Sequence, residues 1–247
     1  EAGVKASRAT THRRVKEFGY SCLIPLVKPI LNQRQCQRLL TWDKEKKNWT
    51  VAQWSKVSFL DESKFCILYG NQGPRVWRKG TEKSMIDPPP TMKHGGGSIM
   101  LWGCFASACT GKLQRVQGSM NSLQYQEILD DSVMQSVTNL RLGRCWTFQQ
   151  DNDPKHISKS TRAWLQIKGW NILKWPSQSP DLNPIENLWW DLKKAVAVRK
   201  PKNVTELEAF AHDEWAKIPV DRCKTLVSSY ASSLKAVITV KGCCTKY

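Results

Sequence analysis

Three carboxylates stand where acids can do chemistry. Asp61 ends the run KVSFLD, Asp151 follows CWTFQQ, and Glu186 lies in PDLNPIENLWWDLKK. The first two runs read as short strands and the third as the start of a helix. Acids at the carboxyl ends of neighbouring strands, joined by one from a packed helix, can converge at one edge of a sheet. Such an all-oxygen set suits Mg²⁺ or Mn²⁺, which favour carboxylate and water ligands. Two ions held roughly 3.5–4 Å apart can activate a water or hydroxyl and stabilise a leaving oxygen in phosphodiester cleavage. Without cations, three crowded acids repel one another and their pKa values rise. Glu186 also has a plainer reading. Asn183 can be an N-cap and Pro184 the first helical residue, which puts Glu186 at N3 of a capping-box-like start.

The elements that must position these acids are readable in outline. KVSFLD (56–61) and KFCILYG (64–70) read as strands separated by a tight turn, with RVW (75–77) a third strand or part of a loop. SIMLWGCF (98–105) reads as a buried strand with GKLQRV (111–116) as its hairpin partner. A helix is expected over 121–137, a strand over 145–150, and a helix over 154–168 with Asp153 as N-cap and Pro154 at N1. NILKW (171–175) is the last strand, and helices follow Glu186 to about residue 235. PPPTMKHGGGS (88–98) reads as loop. Upstream, SRATTHRRVKEFGY carries Ser7 as a cap, a basic cluster and Gly19 as a stop. NQRQCQRLLTWDKEKKNW reads as a second basic helix anchored by Leu39, Leu40 and Trp42. The expected organisation is α/β, with residues 1–20 and 21–50 helical and basic, and one domain over 51–247.

Charge narrows the function. The 247 residues carry 38 Lys and Arg against 21 Asp and Glu, a net +17. The first fifty hold eleven basic residues against four acidic. That excess calls for a polyanion, most simply nucleic acid. No apolar run approaches membrane-spanning length and no secretory signal pattern is visible, so membrane attachment is not expected. The nine cysteines form no paired C-x-x-C spacing, which argues against a zinc ribbon and for reduced, mostly buried thiols in an intracellular protein.

The runs FLDESKF, HGGGSIMLWGCF, QQDNDPKH and WPSQSPDLNPIENLWWDLKK, in that order, resemble the catalytic domain of mariner-superfamily DNA transposases, most of all the Sleeping Beauty-like branch. The 34 residues between Asp151 and Glu186 match the Asp-Asp-34-Glu spacing of that branch. The resemblance implies a ribonuclease H-like fold, a mixed five-stranded sheet flanked by helices, preceded by a helical remnant of a helix-turn-helix DNA-binding domain. It implies Asp61, Asp151 and Glu186 as catalytic residues and ligands of two Mg²⁺ or Mn²⁺ ions. It further implies hydrolysis at transposon inverted-repeat ends, 3′-hydroxyl transfer into TA target DNA, a homodimer assembled on DNA, and a nuclear location.

Residues around the triad carry lesser expectations. Glu62 should point away from Asp61 by strand alternation, with a supporting place behind the metal-binding acids as the lesser reading. Asp153 reads as a cap and Asp181 as a turn residue, while Asp191 should face elsewhere on the helix. Trp189 and Trp190 are expected to pin that helix to the sheet. His156 and Lys193 could touch DNA, or be an ordinary surface or capping histidine and a solvated lysine. Arg8, His12, Arg13, Arg14 and Lys16 are the residues through which the first helix would touch DNA, if it is not simply a solvated basic helix. Residues 71–97 are expected to reach a partner subunit. Members of the family begin with two helix-turn-helix units, and EAGVKASRATTHRRVKEFGY resembles only the end of the second. The chain is thus expected to be N-terminally truncated, with impaired recognition of transposon ends. A domesticated, non-catalytic DNA-binding protein on the same scaffold is the competing function.

Overall fold

The run VSFLDESKFC alternates apolar and polar side chains without a break, and it forms one ten-residue strand, β2 (Val57–Cys66). The tight turn expected inside it is absent. Pairing with a neighbour, Glu62 opposite Trp102 and Ser63 opposite Leu101, holds the polar centre extended. The structure is a computed structural model that describes residues 7–23, 32–67, 76–79, 97–177, 179 and 182–239.

The chain divides into two compact units, Glu1–Lys28 with Leu68–Gly95 and Pro29–Ile67 with Gly96–Tyr247. In the first unit, α1 (Arg8–Glu17) is capped as expected by Ser7, whose side chain accepts the Thr10 N–H. It ends at Gly19, which takes the left-handed φ of 79° that a side chain disfavours. A short strand, β1 (Tyr20–Leu23), pairs antiparallel with β3 (Val76–Lys79), more than fifty residues away in sequence. Pro25, Pro29 and most of PPPTMKHGGGS lie outside the described residues.

The second unit is a three-layer sandwich. Its sheet has the order β5-β4-β2-β6-β7, with β4 (Ser98–Ala106), β5 (Cys109–Val116), β6 (Thr147–Gln149) and β7 (Asn171–Ile172). The β4–β5 hairpin and β2 are antiparallel, while β6 and β7 run parallel to β2. Period-two alternation sends Phe59, Phe65 and Leu101 to one face and Leu60, Trp102 and Cys104 to the other. On the first face lie α2 (Gln33–Lys46), α3 (Val51–Trp54), α6 (Ile185–Arg199), α7 (Val204–Ala216) and α8 (Val220–Thr239). On the second lie α4 (Ser122–Asn139) and α5 (Lys159–Lys168).

Two elements differ from expectation. The helix placed over 154–168 begins only at Lys159, because Asp153 closes a local turn by accepting the Lys155 N–H, and Ser158 then caps the helix. The segment read as a basic linker contains α2, which buries Leu39 and Trp42 in the main core; Leu40 is half-buried. Of the six cysteines whose side chains are described, only Cys104 and Cys223 are buried, fewer than expected. Among the described residues no helix is long and apolar enough to cross a membrane.

Candidate active site

The parallel pairing of β2 with β6 sets the first two acids. Phe59 stands opposite Gln149, so Asp61, still within β2, and Asp151, just past the end of β6, each two residues further on, stand at the same level. Gln149 reinforces this register from its side chain, accepting the Leu60 N–H at 3.3 Å. The third acid arrives on α6. Asn183, just before that helix, donates its amide to the Leu60 carbonyl at 3.1 Å, which ties the helix start to β2 beside Asp61. The helix opens at Ile185, one residue later than expected, and no side chain caps it in the usual geometry. The capping-box partner of Glu186 is thus spent on the sheet. One turn on, Trp189 packs against Gly103, the residue that faces Asp61 across the β2–β4 ladder. A Cβ on Gly103 would come within 2.8 Å of the indole, so glycine is what lets α6 approach.

These constraints bring Asp61, Asp151 and Glu186 to the wall of one cleft of about 390 Å³, shared with Asn152, Asp153, Trp175 and Asn183. Trp175 is held there by Asn152, which donates to its carbonyl at 2.8 Å. Burial pushes the Asp61 carboxyl well above the usual carboxylate range. The charges of Glu186, Glu62 and Asp151 push the same way, against one backbone hydrogen bond from Glu62. Asp151 behaves oppositely. Burial pushes it up, but its bonds from His156 and the Asp153 N–H, with the charges of His156 and Lys155, bring it below the usual range.

Comparison with known proteins decides what the cleft belongs to. Residues 56–208 match the model of the DDE superfamily endonuclease family. The chain is 38% identical over 243 residues to the transposable element Tcb1 transposase of Caenorhabditis briggsae, covering 98% of this chain and 88% of that protein. It is 37% identical to the Tc1 transposase of Caenorhabditis elegans, with the same coverage. The chain belongs to the Tc1/mariner transposases. Its fold matches the Mos1 mariner paired end complex with Mn at a TM-score of 0.73 and 17% identity, over 98% of this chain and 72% of that one. The ribonuclease H-like fold implied by the motifs is therefore the fold of this transposase.

The donor set fits a hard divalent cation. All three acids offer oxygen, and beside burial the charges of Glu186, Glu62 and Asp151 add to the rise of the Asp61 carboxyl. The acids are not drawn together as they stand. Among the described residues no three His, Cys, Asp or Glu side chains form a group that could hold an ion between them.

His156, expected among the DNA contacts, is only 2% exposed, with Nδ1 on Asp151 Oδ1 at 2.5 Å and Nε2 on Glu62 Oε1 at 3.2 Å. A ring so enclosed cannot face a phosphate. Glu62 does leave Asp61 for the opposite face, as alternation requires, but the turn after β6 folds against the middle of β2 and meets it there. Lys155 joins the same network, 2.9 Å from Asp153 and 3.7 Å from Glu62. Sequence reading assigns Lys155 no such part and gives Glu62 only a lesser reading as a support behind the acids; the Lys-His pair after Asp151 is the signal.

Elsewhere the expectations divide. Asp191 faces away and pairs with Arg222 at 2.7 Å. Asp181 lies outside the described residues. Trp189 is buried, whereas Trp190 is 65% exposed and does not pin the helix. Lys193 sits over the Phe65 ring at 5.5 Å, within the field of Glu186, and burial draws its pKa down. Arg8, His12, Arg13, Arg14 and Lys16 lie on α1, which buries no residue. Arg14 pairs with Glu17.

Proposed function

We propose that this transposase cuts DNA at transposon ends and joins the freed 3′-hydroxyl to target DNA at TA steps, with Asp61, Asp151 and Glu186 as ligands of two Mg²⁺ or Mn²⁺ ions. The observation that carries this reading is the common level of Asp61 and Asp151 on paired parallel strands, with Glu186 tied beside them through Asn183. Bound divalent ions would supply charge neutralisation and an activated water or hydroxyl for in-line displacement at phosphorus. The protein's own part is positioning. Asn183 and Trp189 fix the helix that carries Glu186, Gln149 fixes the strand register, and Asn152 fixes the Trp175 wall.

The basic residues of α1, Arg8, His12, Arg13, Arg14 and Lys16, would meet DNA phosphates, with Lys193 contributing beside the cleft. The chain would work as a homodimer on two ends, in the nucleus, where its DNA substrates are. Organised from the N-terminus, α1 and its neighbours up to residue 20 serve end binding, while α2 packs into the core of the unit that catalyses, with residues 51–247 supplying its acids.

The test is a cleavage and strand-transfer assay on transposon-end DNA with Mg²⁺ or Mn²⁺, beside Glu186→Gln. Metal-dependent product from the wild-type chain and none from the variant are expected. Salt-dependent DNA binding with no metal-dependent cleavage would instead favour a domesticated binding protein. Undiminished cleavage by Asp61→Asn, Asp151→Asn or Glu186→Gln would sink the site assignment.

A further inference from the structure

His156 is the most completely held polar side chain near the cleft. Its two ring nitrogens face two carboxylates, so both must donate: Nδ1–H to Asp151 Oδ1 at 2.5 Å and Nε2–H to Glu62 Oε1 at 3.2 Å. The ring stacks on Tyr125 with centroids 4.0 Å apart. Tyr125 donates its hydroxyl to Gln150 Oε1 at 2.7 Å, and the Gln150 amide donates to the His156 carbonyl at 3.2 Å. Ring, backbone and both nitrogens are thus fixed from the second face of the sheet, while the residue it grips, Asp151, lines the cleft.

The grip on Asp151 is one-sided. Both of its hydrogen bonds, from His156 Nδ1 and from the Asp153 N–H at 3.0 Å, end on Oδ1. An aspartate free to rotate about its terminal torsion presents either oxygen. This one is held through Oδ1, on a residue that lines the cleft.

We propose that His156 is a positioning residue for Asp151, oriented from behind by Glu62, which sets the carboxylate so that Oδ2 is the atom offered to a divalent cation. This rests on the reading of Asp151 as a metal ligand. Groups that hold a ligand by its far atom commonly govern metal affinity by about 10–100-fold. Glu62 then has a defined part, because without it the ring can swing off Asp151.

Two isosteres separate the two bonds. Asparagine places its amide nitrogen near the position of Nδ1, and glutamine places its own near Nε2. His156→Asn therefore keeps a donor for Asp151, and His156→Gln keeps one for Glu62. Binding of Mn²⁺ alone to the full chain, followed by electron paramagnetic resonance of the free ion, is measured beside kcat and KM for cleavage and beside the melting temperature. His156→Gln and His156→Ala are expected to weaken Mn²⁺ binding and lower kcat by about 10–100-fold with KM for DNA little moved. His156→Asn is expected to fall least, by roughly a tenth of that loss, and Glu62→Gln to lie between. Equal losses in the Asn and Gln variants, tracking the melting temperature, would mean that the ring only fills space and would overturn the proposal. A loss confined to KM for DNA would overturn it in favour of a substrate contact. Asp151→Asn separates this from the underlying reading: if that variant cleaves as wild type, the metal-site assignment fails, whereas a dead Asp151→Asn with unordered His156 variants removes the positioning role alone.

Discussion

Two regions of the second unit set a carboxylate near a tyrosine, one half-exposed and one fully buried, and they treat it in opposite ways. At the cleft, Tyr125 covers His156, and the charges there are answered in pairs: His156 with Asp151 and Glu62, Lys155 with Glu62 and Asp153. At the seam between α2 and α8, Asp43 is fully buried and neither of its oxygens has a hydrogen-bond partner among the described protein atoms. Tyr230 Oη and Trp54 Nε1, in the same aromatic cluster, are likewise unpartnered. Pairing keeps Asp151 ionised below the usual range, whereas burial alone lifts Asp43 to about 7. The cleft therefore carries fixed charge, and the seam carries a carboxyl that is protonated over much of the acidic range. Asp61 stands between the two cases, inside the cleft yet raised by burial and its acidic neighbours.

Asp61 gives the largest expected effect. Asp61→Asn should abolish metal-dependent cleavage and at the same time raise the melting temperature, because it removes a buried charge from beside Glu186, Glu62 and Asp151. A gain on the order of 1 kcal/mol is the usual size for relieving such a functional liability. Thermal unfolding in chelator, run beside the cleavage assay, reads both. A lower melting temperature would show that Asp61 is compensated after all, and the contrast with Asp151 would fail.

The seam is probed next by Trp42→Ala. Trp42 is buried, packs edge-on to Trp175 at 5.1 Å, and donates its indole N–H to the Lys174 carbonyl at 2.5 Å. Truncating a buried tryptophan costs about 3–5 kcal/mol. Because Trp175 is a wall of the cleft, cleavage measured well below the unfolding midpoint should fall as well. Loss of stability with full activity would mean that seam and cleft are independent.

Asp43 supplies the pH dependence. Its folded pKa of about 7 lies above the ordinary value of 3.8. As pH rises between these values the unfolded chain gives up its proton while the folded chain keeps it, so stability falls across that window and levels off above about 7. The effect is on the order of 1–4 kcal/mol for a shift of this kind. His156 has its own window: its pKa is raised to about 9, burial being outweighed by its bonds to Asp151 and Glu62. Its contribution is complete below the ordinary 6.5 and is lost as pH rises through about 9. Subtracting the unfolding free energy of Asp43→Asn from that of wild type at each pH removes the histidine's share. A difference that stays constant from about pH 4.5 to 7.5, inside the window where linkage requires it to fall, would show that Asp43 finds a partner in solution.

The same contrast marks where the sequence is legible. Asp61, Asp151 and Glu186 can be found because their positions depend on local strand and helix patterns and one interval, although Asp61 lies within β2 rather than at its end, and the β4–β5 hairpin because its two halves are neighbours in the chain. The His156–Glu62 bond cannot, since it needs a turn 94 positions away in sequence to fold against the middle of β2. The pairing of β1 with β3 is hidden for the same reason: four-residue strands so far apart leave no local trace. At residues 153–158 two capping residues compete, and the later one, Ser158, starts the helix. Asp43 has the opposite difficulty. Nothing in QRLLTWDKEK distinguishes it from the solvated charges around it, because burial is imposed by α8, far along the chain at Val220–Thr239.

The smallest effect is expected on α6, one turn beyond Glu186. Trp189 and Trp190 are identical in type and adjacent in sequence, yet the first is 1% exposed and the second 65%. A helix advances about 100° per residue, so Trp190 turns out of the buried stripe formed by Ile185, Leu188, Trp189, Leu192 and Val196. Trp189→Ala should cost about 3–5 kcal/mol, as any buried indole does. It should also loosen the contact with Gly103 that sets Glu186 against Asp61, so that cleavage falls with stability. Trp190→Ala should change stability by less than about 0.5 kcal/mol, as surface substitutions usually do. Urea unfolding of the two variants side by side decides it. A cost above about 1 kcal/mol for Trp190→Ala, outside the usual surface range, would show that its face of α6 is covered in solution. The cleft helix would then be held from both sides rather than from the sheet alone.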